Sequence, residues 1–310
     1  MYFGDANSNA IYEMDMFGEI LNAWPLSATG YAFHHQVLEK PNGNLLITVD
    51  KTGIATKEDF IIELGRTAGD VVNVWDFRES LQYNRTAWTT DTEDWIHINA
   101  VEYDSTDDCI IASGRTQGLV KVDADNNVKW IMAPHRGWGL AGNGVDLTTK
   151  LLQPLDAQGA PITDAEVLDG SENHPEFEWN WYQHAPQKLK DGTLIFFDNG
   201  DTRNYTTNEL YSRAARFKID ESAMTVQQQW QYGKERGVQT YSRFVSDVDY
   251  NEESGNMIFS SGAVNDDGPR HGKIIEIKGG TSDVEFEATI TPPKTNGVTF
   301  HRTERINLYR

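Results

Sequence analysis

Three histidines, His35 in FHHQVLEKPNGNLLI, His97 in WIHINAVEYDSTDDCII and His184 in WYQHAPQKLKDGTLIFF, each stand a short step before an apolar run. His35 precedes Gly43 by eight residues and His184 precedes Gly192 by the same eight; His97 keeps the register once two extra turn residues in DSTDD are allowed. Neutral imidazole is both a nucleophile and a general base near neutral pH. The His97 repeat adds Asn99 and, eighteen residues beyond His97, Arg115 in IIASGRTQG, where a turn returns it towards the same rim. A guanidinium offers a planar fork to anionic oxygens. Together these groups suit transfer of a small anionic group through a histidine adduct. Metal ligation is the competing chemistry, because imidazoles bind zinc, copper and iron. Against it, Arg115 adds a permanent cation, and no Asp or Glu shares the histidine register. A Ser/His/Asp hydrolase would need an elbow of the GxSxG kind, which is missing, and there is no glycine-rich phosphate loop or CxxC pair. His135, His174, His271 and His301 fall outside the register and read as surface or loop residues.

The elements that must carry these side chains are short strands separated by Gly, Asn and Asp turns, with little helical periodicity. A larger repeat overlies them. Each unit opens on a His-bearing or polar strand, continues through a strand such as Asn44–Val49, and closes on a strand ending in Trp: Trp24, Trp75, Trp130 and Trp230. The first two spacings, 51 and 55 residues, suit four-stranded propeller blades. The fold class is therefore all-β, a β-propeller, in one domain over residues 1–310. The gap of 100 residues before Trp230 holds a long polar loop insertion at 135–178, whose DLTTKLLQPLDAQGAPITDAEV stretch has no strand pattern. A fourth unit, FVSDVDYNEESGNMIFSS, aligns with the His97 repeat through Tyr250 and Tyr103. It places Phe244 where His97 stands and Ser246 where Asn99 stands. Residues 2–24 look like the outer part of a blade lacking its inner strand, and GVTFHRTERINLYR could supply a strand to an incomplete blade. About four complete blades plus partial ones are recognisable.

Imidazoles repeated on equivalent strands of a radial fold would converge on its axis. Composition limits what such a site could serve. A net charge of −20 over 310 residues opposes nucleic acid, whose phosphates demand a basic face, and opposes docking on an anionic membrane. No apolar run reaches the length of a membrane span and no export signal opens the chain. The single cysteine, Cys109, excludes an internal disulfide and lies in the apolar run Cys109–Ala112, where a buried strand thiol is expected rather than a nucleophile.

At its histidines, at His97-x-Asn99, at Arg115 and at His184 in the following unit, the sequence resembles the bacterial arylsulfate sulfotransferases, which move sulfuryl groups between phenols without the nucleotide sulfate donor. The resemblance runs from about Tyr2 to the C-terminus. It implies a six-bladed propeller with a central funnel, export to the periplasm, no cofactor and no metal, an aryl sulfate donor and a phenolic acceptor. It further implies that His184 carries a transient sulfohistidine, that His97, Asn99 and Arg115 hold the sulfuryl oxygens, and that His35 acts at the bridging phenolic oxygen. Ser246 and Phe244 would be substrate-binding, with Trp95, Trp181 and Tyr182 as further candidates for an apolar wall. Two features depart from the family. The segment EVLDGSENHPEFEWNWYQH lacks the cysteine pair found before the nucleophile in well-known members, so that loop must be held otherwise. The family's N-terminal domain and first blades have no counterpart, which reads as an N-terminal truncation; a partial ring would complete itself as a homo-oligomer, lack substrate walls, or be inactive. Two other functions stay open: a metal-dependent propeller enzyme using the same histidines as ligands, and a non-catalytic propeller that binds an anionic ligand.

Overall fold

The computed structural model describes residues 1–86, 89–266, 268–292 and 297–305. They form two compact units, Met1–Leu151 and Leu152–Arg310. Unit 1 holds three antiparallel sheets: β1 (Tyr2–Asp5), β2 (Ala10–Met14) and β3 (Ile20–Pro25); β4 (Tyr31–Glu39), β5 (Leu45–Lys51), β6 (Phe60–Leu64) and β7 (Val71–Asp76); and β8 (Ile98–Asp104), β9 (Cys109–Gly114), β10 (Gly118–Val122) and β11 (Val128–Met132). Unit 2 holds β12 (Gln153–Leu155), β13 (His184–Lys188), β14 (Leu194–Asp198), β15 (Arg213–Asp220) and β16 (Thr225–Tyr232) in one sheet. Its second sheet is β17 (Asp247–Tyr250), β18 (Met257–Val264), β19 (His271–Ile277) and β20 (Val284–Ile290). Within each sheet consecutive strands pair up and down; β12 alone breaks the order, pairing parallel with β16. These are blades of a β-propeller, five among the described residues, the first of them three-stranded.

Both faces of the middle blades are covered, which explains strands that are apolar throughout rather than alternating. Leu45, Ile47 and Val49 pair with Leu64, Ile62 and Phe60. All six join Ile11, Trp24 and Leu26 of the preceding segment in one buried cluster. In unit 2 the corresponding layer sets Phe197 of β14 against Phe259 of β18, stacked at 4.9 Å.

Three of the four closing tryptophans have a second task besides filling these layers; the fourth, Trp130, is buried with no hydrogen-bond partner for Nε1 among the described residues. Trp24 Nε1 donates to Arg66 O at 2.9 Å, Trp75 Nε1 to Asp123 O at 2.8 Å, and Trp230 Nε1 to Thr281 O at 3.0 Å. Each acceptor lies in the turn between the last two strands of the following blade, so each indole fastens one blade to the next. A buried indole N–H needs such a partner. That need accounts for Trp, rather than Phe or Leu, at these three positions.

The 135–178 segment is not wholly without strand. Gln153–Leu155 runs parallel to Thr225–Gln227, with Pro154 tolerated because β12 is an edge strand. Three residues are too short to show a periodicity. A 3₁₀ turn at Leu147–Lys150 and a short helix at Ala165–Asp169 complete the order in this segment. Residues 297–305 do not form a strand. They lie along the last sheet through Val298 N to Arg270 O and Phe300 N to Gly262 O, at 2.8 and 3.1 Å; the rest of the expected C-terminal strand lies outside the described residues. Cys109 is buried at the start of β9, and burial pushes its thiol up to about 12. Among the described residues no helix is long and apolar enough to cross a membrane.

Candidate functional site

In unit 1, two of the sequence-predicted histidines meet. His35 occupies a bulge of β4, where pairing with β5 shifts between Phe33 and Val37. His97 immediately precedes β8. Both adopt left-handed backbone, at φ 50° and 53°, which costs an L-residue on the order of 1 kcal/mol or more. That strain re-aims each ring at the start of its blade. The two Nε2 atoms stand 3.2 Å apart. Gln36 ties the strands together by accepting the Val101 N–H at 2.8 Å.

Two carboxylates complete the group, and the sequence reading missed both. Glu58 Oε2 lies 3.2 Å from His35 Nε2 and 2.7 Å from His97 Nδ1. Asp94 flanks the same His97 Nδ1 at 2.8 and 3.0 Å. No Asp or Glu shares the histidine register in sequence, yet Glu58 reaches the rings from the β5–β6 loop, out of register but adjacent in space. Asp94, three residues before His97 in EDWIH, was the one acid that local spacing could have flagged. The backbone of Glu58 is pinned at both ends, its N–H donating to Asp50 Oδ1 at 2.5 Å and its C=O accepting from Ile98 N at 2.8 Å.

The electrostatics follow from these contacts. Burial alone would raise the Glu58 pKa, but its hydrogen bonds to His35 and His97 hold it well below the usual carboxylate range. For His97 burial disfavours the cation, Asp94 and Glu58 outweigh it, and the pKa is raised despite the opposing Arg115 charge. Arg115 is held beside His97 by backbone, its N–H donating to His97 O at 3.0 Å. Its Nη2 stands 3.8 Å from Asp94 Oδ2. Asn99 is buried where the β8–β9 pairing shifts.

Glu58, Asp94 and His97 bring ligand-type atoms within 4.8 Å of one another, as do His34, His35 and Glu58. Around a tetrahedral zinc with bonds near 2.05 Å, neighbouring donor atoms stand about 3.3 Å apart. The separations among them of 2.7 to 3.2 Å fall in the hydrogen-bond range.

In unit 2, His184 opens β13 and is 5% exposed. Its Nδ1 is 2.7 Å from Asn199 Oδ1 and 3.1 Å from Tyr182 O. Asn199 Nδ2 donates to Ser242 O and Val245 O, at 2.7 and 2.9 Å. Two carbonyls can be met only by the NH₂ end of the amide, so Oδ1 must face the histidine. Nδ1 therefore carries a proton, and the lone pair of neutral His184 resides on Nε2. Tyr182 and Ala185, on either side, are left-handed at φ 55° and 50°.

The loop that delivers His184 rests on buried charge. Arg213 donates to Asp198 Oδ2 at 2.7 Å and to the carbonyls of Glu178 and Trp179 at 2.9 and 3.2 Å. The Glu178 carboxylate pairs with Lys234, lies 3.6 Å from both Arg203 and Arg213, and accepts from Tyr211 Oη at 2.6 Å. Trp181 N donates to Asp198 Oδ1 at 2.9 Å. Residues 178–181, which lead into His184, are thus gripped by buried ion pairs and hydrogen bonds.

The remaining sequence-predicted residues fall as follows. Ser246 is buried, with its hydroxyl donating to Ser242 Oγ at 2.8 Å and accepting from Gly262 N at 3.0 Å, so it holds the turn that Asn199 grips. Phe244 is half-buried beneath the Arg270 guanidinium, 5.2 Å from the ring centre. Trp95 and Trp181 are core residues: Trp95 donates to Asp59 Oδ2 at 3.1 Å, and Trp181 packs edge-on to Tyr205 at 5.1 Å.

Two curated proteins match over 92% of the chain: arylsulfate sulfotransferase AssT of Escherichia coli O6:H1 at 35% identity and its namesake from Lelliottia amnigena at 34%. The chain spans 55% of the length of each. Among solved structures, the Cps50 (Swd1) β-propeller domain of Myceliophteria thermophila is similar at 9% identity with a TM-score of 0.46, covering 93% of this chain and 85% of that one. The model of the arylsulfotransferase (ASST) family matches residues 1–300, and the chain belongs to that family.

Proposed function

We propose that this chain carries sulfuryl-transfer chemistry from an aryl sulfate to a phenol, in a ping-pong reaction through a sulfohistidine at His184 Nε2. The observation that carries this reading is the fixed tautomer of His184, since a nucleophilic imidazole must present a lone pair on a defined atom. In the first half-reaction Nε2 attacks sulfur, an N–S bond forms, and the S–O bond to the aryl group breaks. The departing phenolate keeps that electron pair and takes a proton from a general acid. Because Asn199 is a neutral acceptor, Nδ1 retains its proton throughout. The sulfurylated ring is then a cation and a good leaving group, which keeps the adduct reactive. In the second half-reaction an acceptor phenol gives up its proton, its oxygen attacks sulfur, and Nε2 recovers its lone pair.

The groups of unit 1 are assigned the complementary duties. His35 serves the phenolic oxygen, supplying and later accepting the proton. His97, Asn99 and Arg115 stabilise the charge that spreads over the sulfuryl oxygens. Phe244 is assigned to the apolar surroundings of the aryl ring, and Ser246 acts through the turn it fastens.

The test is incubation with p-nitrophenyl sulfate and phenol, with and without chelator, for the wild type and His184→Ala. Acceptor-dependent nitrophenol release that survives chelation and vanishes in the variant is expected, and intact mass after donor alone should increase by one sulfuryl group. Loss of turnover on chelation would instead favour metal-dependent chemistry. A folded protein that binds aryl sulfate without turnover would be a binding module.

A further inference from the structure

We propose that Glu58 is the positioning residue of the His35–His97 pair: a single carboxylate oxygen sets the two imidazoles in complementary tautomers, so that one proton is held between their Nε2 atoms. The inference rests on the sulfuryl-transfer reading, in which that pair handles the phenolic proton. Proton accounting supports it. His97 Nδ1 faces Glu58 Oε2 at 2.7 Å and Asp94 Oδ2 at 2.8 Å; with carboxylates on both sides it must be a donor. The lone pair of neutral His97 is then on Nε2, 3.2 Å from His35 Nε2. His35 Nε2 also lies 3.2 Å from the same Glu58 oxygen. An unprotonated Nε2 there would set its lone pair against a carboxylate on one side and another lone pair on the other. His35 Nε2 therefore bears the hydrogen and shares it between Glu58 and His97.

Glu58 is suited to this by its own anchoring. Asp50 and Ile98 fix its backbone, and its φ of 52° turns the side chain inward. The ionisable groups facing it are His34 and His35 from β4, Asp50 from β5, and Asp94 and His97 from the segment before β8. Arg115, beyond Asp94, opposes a cation on His97. Of the two rings, Asp94 is seen against that of His97, whereas Glu58 touches both and so couples them.

The experiment compares wild type, Glu58→Gln and Glu58→Asp in metal-free buffer, following the pH profile of kcat/KM for p-nitrophenyl sulfate. Removing a negative charge beside an imidazolium lowers its pKa, so the histidine-linked limb should move to lower pH by about 1–3 units in Glu58→Gln, and Glu58→Asp should return most of the way. A uniform loss of rate with the limb unmoved would overturn the proposal and leave Glu58 a packing residue. The ring ¹⁵N shifts of His35 and His97 across the same pH range give a reading that needs no turnover. They should show complementary tautomers in wild type that are lost in Glu58→Gln; identical tautomers in both would overturn the proposal. If the wild type turns over no donor while its ¹⁵N pattern is as expected, the sulfuryl-transfer reading fails and the positioning role stands.

Discussion

At the scale of single residues, the chemistry depends on which nitrogen of each ring holds a proton, and neutral or charged neighbours decide it. Asn199 provides the sharpest test. Asn199→Leu removes the nearer acceptor at Nδ1, leaving Tyr182 O, and takes the amide donor from Ser242 O and Val245 O, so kcat for the proposed sulfuryl transfer should fall by about 10²- to 10⁴-fold, the range seen for misplaced or mis-tautomerised bases. Asn199→Asp keeps the acceptor but adds charge. Its acid limb, which requires neutral His184, should move to higher pH in the rate profile. The backbone contributes as well. His35, His97, Ala185 and Val245 all have φ between 50° and 54°, and each lies at the start of a blade. Such left-handed residues gather where side chains must be aimed against the usual course of the strand. The histidines were legible from their spacing, and Asp94 nearly so. Glu58 was not, because a residue in the β5–β6 loop reaches His97 only after two blades have packed together.

At the scale of elements, the repeat is held by hydrogen bonds that its spacing advertised without explaining. Trp75→Phe keeps an aromatic ring but deletes the bond to Asp123 O and part of the buried indole, so unfolding free energy in urea should drop by about 1–3 kcal/mol, and the same change at Trp24 and Trp230 should also destabilise. The loop before His184 is held by buried charge. Burial raises the Glu178 pKa, but Arg213, Arg203 and Lys234 overcome it and bring it from 4.5 to about 2. A carboxylate with a lowered native pKa stabilises the fold above its unfolded pKa and loses that contribution as pH falls through the native value. The expected signature is on the order of 3 kcal/mol lost between about pH 4.5 and pH 2, read from thermal melts. In Glu178→Gln that acid dependence should be reduced, and stability at neutral pH should fall by about 3–5 kcal/mol as buried Arg213 loses a partner.

At the scale of the whole molecule, the net charge of −20 sets a long-range field that repels an anionic donor. Salt screens such a field. Raising ionic strength from about 10 to about 150 mM should therefore increase kcat/KM for an aryl sulfate by about twofold, while a neutral phenol acceptor should show little change. The blade architecture was legible because a propeller repeats one solution: apolar strands covered on both faces, Gly and Asn turns, and a closing Trp. The three-stranded first blade was legible for the same reason. The short strand β12 was not, since its pairing with β16 is set by a neighbour 72 residues away (Gln153 against Thr225) rather than by any pattern of its own.

The amino-acid sequence by itself determined the blades, the recurrence of His35, His97 and His184, and membership of a family, because strand periodicity and residue spacing are local quantities. Only the tertiary structure decided which polar atoms face one another. It set Glu58 against two imidazoles, turned Asn199 towards His184 by giving its amide nitrogen two carbonyls, and fastened the loop before His184 with buried ion pairs. Hydrogen bonds act over about 3 Å, and no spacing along the chain encodes such a distance between residues that folding alone brings together.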